Sequence, residues 1–280
     1  PVAPRQARTR AAWAGIAAMV AITLVVALAP AEEGAEDDYR RAYEAQRKAL
    51  AAVERTATPS ASPAGSVPTP TRIPDPNCSP APRPVTVRPI DPEVKRAVDR
   101  QWRRVERWLK ANAPRTYRTL GAPGRAGTIA VAESQMGVDF PDDLRASLLR
   151  HNGSRGEGAF GFSSGGAVNL GTRDIRDAWR EQCRRDRTDL GADPSTEYWN
   201  GRMIPFASYP EFDSEDTPYA VVDSVGGAVG WDDSIGGMAP RMPSYHALMR
   251  AVADALERGT PIEGRRPAVE RGVLVWEHAE

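Results

Sequence analysis

Residues 136–153 read MGVDFPDDLRASLLRHNG, and this stretch sets the frame for the rest of the chain. Pro141, Asp142 and Asp143 open a helix: proline's fixed φ suits the first helical turn, and carboxylates favour the positive N-terminal end of the helix dipole. Leu144, Leu148 and Leu149 fall on one face, Arg150 meets the negative end, and Asn152-Gly153 supplies a left-handed stop. A short helix with one leucine face needs a partner surface, and the flanking sequence offers several.

On the N-terminal side, Asp91-Pro92 places a capping carboxylate before a proline at the first helical position. Val94, Ala97, Val98, Trp102, Val105, Trp108 and Leu109 then recur at helical spacing as far as Asn112, before Ala113-Pro114. On the C-terminal side a helix begins at Thr172 and buries Ile175, Trp179 and Cys183. A last helix runs from Ser244 to Arg258 with Gly259 as its cap and buries Leu248, Met249, Val252 and Leu256. Strand-like runs lie at Ala159–Phe162, Val168–Leu170, Met203–Ala207, Tyr219–Asp223, Ala228–Trp231 and Val273–Glu277, and Ser224-Val225-Gly226-Gly227 signals a hairpin. Helices first, strands clustered mid-chain and a helix after them predict an α+β domain over residues 91–280, not an alternating parallel sheet.

The first 90 residues have a different character. A basic tail (1–10, with Arg5, Arg8 and Arg10) precedes the uncharged run 11–29, AAWAGIAAMVAITLVVALA, close to the ~20 residues that cross a bilayer core. The acids Glu32, Glu33, Glu36, Asp37 and Asp38 follow, so the positive-inside rule predicts a cytoplasmic tail and an extracytoplasmic domain. The alternative is a signal peptide cleaved near Ala31, where Ala29-Pro30-Ala31 has the small-x-small form. Residues 32–55 read as a charged juxtamembrane helix, acids early and bases late. Between Thr56 and Pro89 ten prolines stand among Ser, Thr and Ala, a composition that predicts a disordered, extended linker over 56–90, reaching on the order of 100 Å at ~3.1 Å per residue.

Charge and motif content exclude several functions. Of 37 basic and 37 acidic groups, 11 and 8 fall in residues 1–90, leaving 26 against 29 in the domain, which lacks the basic footprint that nucleic acid requires. The two cysteines, Cys78 and Cys183, make neither a zinc site nor a disulfide framework; in an oxidising compartment they could pair, but the favoured reading is an inert Cys183 and an incidental Cys78. Gly161-Phe162-Ser163-Ser164-Gly165 matches a nucleophile elbow, with Asp223 and His246 following in hydrolase order. That elbow requires a helix after the serine, whereas here a glycine-rich turn leads into another strand. His151, His246 and His278 have no second His or Cys at ligand spacing, the acidic loop 211–216 lacks the glycine and closing glutamate of an EF-hand, and Asp232-Asp233 reads as turn chemistry. No phosphate loop or dinucleotide fingerprint is present, so no metal or cofactor is expected.

The order of short motifs resembles the SUKH superfamily, the Smi/Knr-type domains of a fungal cell-wall regulator and of many bacterial immunity proteins. The resemblance is carried by Val105–Leu109 with Trp108, Glu133 with Met136-Gly137, Phe140–Leu144 around Pro141, and His151-Asn152-Gly153. It continues through Leu170-Gly171, Ile175 and Trp179, Trp199 with Met203–Ala207 around Pro205, Val222-Asp223, Gly230 and Leu248. It implies a mixed, mostly antiparallel sheet flanked by helices, no enzymatic activity, and a protein partner, here a toxin or an envelope protein. Gly137 and Gly153 are read as structural for their backbone angles, Pro141 for helix initiation, and Trp108 for the core; Glu133, Asn152 and Pro205 complete this structural set. Trp199, Asp223, Asp232 and Asp213 are the partner-binding candidates, with the loop after Gly153, the Gly156–Gly166 segment and the 211–216 loop as variable surfaces. An exported domain would not meet a cytosolic nuclease, which favours an envelope or incoming protein. The alternatives are an envelope hydrolase using Ser163 and His246, or wall-glycan binding through exposed Trp199 and Trp231.

Overall fold

The computed structural model describes residues 74–163, 165–188, 199–209, 218–232 and 238–279, all within the unit Pro68–Glu280. The basic tail, the apolar run 11–29, the juxtamembrane stretch 32–55 and linker residues 56–73 lie outside the described residues. Among the described residues no helix is long and apolar enough to cross a membrane.

Six helices are described: α1 (Pro92–Asn112), α2 (Pro114–Tyr117), α3 (Ala126–Met136), α4 (Asp142–Arg150), α5 (Thr172–Thr188) and α6 (Tyr245–Arg258). The start of α1 follows its sequence signal, since the Asp91 side chain accepts from the backbone N–H of Glu93 and Val94 with Pro92 in the first turn. Likewise Ser244 caps α6 through Ala247 N–H, and Gly259 ends it at φ +68°. α3 was not anticipated: no side chain caps it, and it is apolar on several faces, so no single stripe marks it.

Strands β1 (Val168–Asn169), β2 (Met203–Ser208), β3 (Tyr219–Asp223), β4 (Val229–Asp232) and β5 (Met238–Met242) form one sheet in the order β1-β2-β3-β4-β5, every neighbouring pair antiparallel. The predicted mixed sheet is thus wholly antiparallel among these strands, and Ser224–Gly227 does close the β3–β4 hairpin. Pro205 sits in β2 where the register with β3 shifts, the kind of place where a sheet tolerates a missing N–H. A separate antiparallel hairpin, β6 (Arg265–Glu270) and β7 (Val273–His278), turns at Arg271-Gly272, both at positive φ. β5 and β6 were not anticipated, because Pro240 and Pro267 interrupt their pattern as proline does on edge strands.

The core gathers between the helices and the sheet. Trp102 of α1 meets Phe162 at 4.7 Å, Phe162 meets Phe160 at 5.0 Å, and Tyr245 of α6 meets Phe206 of β2 at 5.0 Å between ring centres. Ala159–Phe162 is not a strand, as had been expected, but an irregular segment that threads two phenylalanines into this cluster. Its backbone is held by Asn169 N–H to the Phe160 carbonyl and by the Asn169 side chain accepting from Phe162 N–H.

The proline-rich stretch is not free all the way to residue 90. From Pro74 onward it lies against the domain, and Cys78 in its one-turn 3₁₀ helix (Pro76–Cys78) is bonded to Cys183 of α5 with the Cα atoms 5.1 Å apart. The favoured reading of two unpaired cysteines is therefore overturned: both are buried, at 2% and 1% exposure.

Candidate functional site

The family-like motif residues form a scaffold of interlocked caps. His151 ends α4 in an extended conformation, with Nδ1 2.8 Å from the Gly121 carbonyl and Nε2 2.8 Å from Glu106 Oε1. Asn152 turns the other way: its Oδ1 accepts from the N–H (2.8 Å) and hydroxyl (2.7 Å) of Thr172, capping α5. Gly153, at φ +80°, passes so close to Gly171 that a Cβ would sit 2.5 Å from its nitrogen. Asn152-Gly153 is thus not the stop of α4, which His151 supplies, but the joint that seats α5. Arg150 completes the corner by pairing with both Glu106 oxygens at 2.7 Å. Burial raises the Glu106 carboxyl's pKa, but its bonds to Arg150 and His151 outweigh that and leave it lowered.

Glu133 is a second knot. At 3% exposure it accepts from Phe140 N–H (2.8 Å) and from Arg88 (2.5 Å), and Arg145, itself 4% exposed, lies 3.8 Å away. Arg145 also donates to the carbonyls of Arg88 and Pro89 and to Asp142. Gly137 caps α3 at φ +71°, and Pro80 occupies the space that a side chain there would need. Pro141 holds the N-cap position of α4, one place earlier than the first helical residue. Trp108 is partly buried and packs against the core.

The four partner-binding candidates are not brought together. Trp199 is 0% exposed, so it belongs to the core and offers no ring face to a glycan. Asp223 ends β3, where its carboxylate accepts from Val225 and Gly226 N–H at 3.1 Å each and from Arg202 at 3.1 Å, building the hairpin turn. Asp232 ends β4 opposite Met238, and Asp213 with the acidic loop 211–216 lies outside the described residues. Trp231 is partly buried, edge-on to Tyr209 at 5.5 Å, with its indole N–H donating to Glu263.

The hydrolase pattern does not assemble. Ser163 is 1% exposed and shares a 2.5 Å hydrogen bond with the Tyr209 hydroxyl, so it is not offered to a substrate. Burial holds the Tyr209 phenol well above its ordinary range. His246 sits in the first turn of α6, its backbone N–H donating to Asp143. Among the described residues no group of three or more His, Cys, Asp or Glu side chains gathers to hold a metal.

What does form a surface site is a groove of about 680 Å³ between the Gly156–Gly166 segment and β7, floored by Val168 and walled by Val273, Val275 and Trp276. Four glycines, Gly156, Gly158, Gly165 and Gly166, all at positive φ, line its other side, so the wall there is main chain. Residues 270 and 273 flank a two-residue turn, so alternate residues Leu274 and Trp276 point their main-chain groups away from β6. The Leu274 N–H is taken by Thr116 Oγ1 at 2.9 Å and the Trp276 carbonyl by Arg265 at 3.3 Å, and the Trp276 N–H lies on the same edge. The sequence points to the glycine segment and to the strand that carries Trp276, but not to Arg265 or to their meeting, because no strand signal marks β6 and no motif joins residues 156 and 276.

No curated protein matches the chain. The model of the SMI1 / KNR4 family (SUKH-1) matches residues 124–234, from α3 through β4, and this supports the SUKH superfamily as the one that this part of the domain resembles.

Proposed function

We propose that this protein is a non-catalytic, SUKH-type protein-binding module, displayed on the outer side of a membrane, whose partner docks in the groove between Gly156–Gly166 and β7. The observation that carries the reading is the groove itself: an open, partly apolar trough bordered by bare main chain and by the outward edge of a strand. With the Leu274 N–H and the Trp276 carbonyl held by Thr116 and Arg265, the groove would meet another polypeptide through the glycine main chain, the Trp276 N–H and its apolar wall. The family match supports a protein partner, since these domains are commonly immunity-type binders. Export is supported by the arginines before the uncharged run 11–29 and by the Cys78–Cys183 bond, which an oxidising compartment favours. A partner met outside the cytosol is a toxin in transit or an envelope protein.

The test is retention of partner proteins from envelope and secreted fractions by wild type and by Val275→Arg, a charge placed in the groove wall. Wild type should hold one or a few proteins and the variant at least tenfold less, at unchanged thermal stability. A blank with wild type, or equal retention by both, would sink the reading.

A further inference from the structure

Residues 74–90 behave as a peptide docked on the domain. At one end Asp75 N–H donates to Asp186 (2.9 Å), Gly201 N–H donates to Asp75 (3.2 Å), and Arg187 donates to the Cys78 carbonyl (2.8 Å). In the middle Pro80 rests on Gly137. At the other end Arg83 donates to the carbonyls of Glu133 (2.8 Å) and Val138 (2.7 Å), Ser134 donates to the Arg83 carbonyl (2.6 Å), and Arg88 binds the Glu133 carboxylate and the Phe140 carbonyl. Two arginines five residues apart thus read one buried carboxylate and three carbonyls, while Val85 and Val87 between them face solvent at 56% and 57% exposure. The receiving residues, 133–145, 183–187 and 201, lie inside the family-matched stretch, and the strap lies before it.

We propose that the matched domain carries a second groove, centred on Glu133, that recognises an arginine-bearing extended peptide; the chain's own residues 80–90 occupy it, and the Cys78–Cys183 bond is the latch that keeps them there. The latch opens by thiol–disulfide exchange. A thiolate reductant attacks one sulfur to give a mixed disulfide and a free cysteine thiolate. A second thiol of the reductant then displaces the other cysteine, so the protein gains two thiols by taking up two electrons and two protons while the reductant becomes a disulfide. Both sulfurs are buried, so attack must follow opening of the Pro76–Cys78 turn, and the latch is slow. With the strap released, Glu133 and the carbonyls of Val138 and Phe140 become available to an arginine-bearing segment of another chain. This site is separate from the groove beside β7, and either can fail without the other.

Two measurements on the full chain decide it. Hydrogen exchange with and without a dithiol reductant should show the hydrogen-bonded strap amides of Asp75, Cys78 and Ser79 exchanging roughly a hundredfold faster once reduction is confirmed, with Pro92–Asn112 unchanged. Unchanged exchange in the strap means that the bond latches nothing, and equal loss across α1 means that it is a general staple; either result overturns the proposal. In the variant Cys78→Ser, Arg83→Ala, Arg88→Ala the occupant is disabled, and a fluorescein-labelled peptide of residues 80–90 should bind it while leaving the oxidised wild type alone. If the variant keeps the wild-type exchange pattern in α1 and takes up no peptide, the groove is not a recognition site.

Discussion

At the scale of single residues, the strongest constraint is a carboxylate that is 3% exposed. Glu133 lies between Arg88 and Arg145 and also holds Phe140 N–H. Glu133→Gln keeps the shape but removes the anion that Arg88 holds, while Arg145 keeps Asp142 as its counterion, so the cost is that of a charged hydrogen bond, about 1–3 kcal/mol. Urea unfolding should show that loss, and a change under 1 kcal/mol would mean that water compensates the arginines. Titration offers a second residue-scale test. Burial lowers the His246 pKa, opposed by Asp143 and reinforced by Arg250 and Arg100. The unfolded chain therefore takes up a proton near pH 6.5 that the fold resists, so this group's contribution is complete above that value. It declines as pH falls from there to the lower folded value and is flat below it. Asp143 acts in the opposite sense, because burial raises its pKa and the fold gains stability as pH drops from that raised value towards 3.8. Stability measured between pH 8 and 5 should slope less in His246→Gln than in wild type, and parallel curves would remove His246 from the balance. The sequence named Glu133 from its neighbours in a motif, yet nothing in the spacing told that its partners would be Arg88 and Arg145, 45 residues before it and 12 after.

Element by element, what the sequence made legible is what chemistry marks locally. Asp91-Pro92 and Ser244…Gly259 bracket α1 and α6 because caps and stops are satisfied within a turn. α3 escaped because its partners are elsewhere in the fold, and β5 and β6 escaped because edge strands carry proline and charge instead of alternation. Asn152-Gly153 has the form of a stop for the helix before it, yet its side chain caps α5, twenty residues on; only the fold reveals that Thr172 stands over Asn152. Asn152→Ala should therefore destabilise the domain by about 1–2 kcal/mol while Asn152→Asp, which keeps the acceptor, loses less. Thermal unfolding separates the two, and equal losses would mean that the amide's donors matter more than its cap. The same logic reaches the longest-range link in the chain. Cys78 and Cys183 close a loop of sequence separation 105, for which the chain-entropy argument gives about 4–5 kcal/mol and engineered examples more often 2–4. A bond that latches only the strap leaves the rest of the domain near its oxidised stability, so Cys78→Ser with Cys183→Ser should lower the domain's unfolding free energy by well under that figure, and the full loss would mark the bond as a general staple.

For the whole molecule, the N-terminal and C-terminal parts of the chain make one joint statement about place. The run 11–29 with arginines before it and acids after it predicts that everything from residue 32 onward is carried across a membrane. Independently, a buried cysteine pair joins the end of the linker to α5, and such a pair forms in an oxidising compartment and stays open in a cytosol held reduced by thiols. The two arguments share no residue, so their agreement is a prediction with content. Intact native cells treated with a membrane-impermeant protease should lose the domain's epitope while a cytoplasmic marker survives. Rapid acid quenching followed by alkylation should find Cys78 and Cys183 unmodified until a reductant is added. A domain protected from the protease and alkylated at both cysteines would place the groove and strap in the cytosol. There the strap would be held without a covalent bond, and its exchange with a competing segment would need no redox step. Protection together with an intact disulfide would instead indicate an oxidised compartment closed to the protease, leaving export in place and moving the partner to that space.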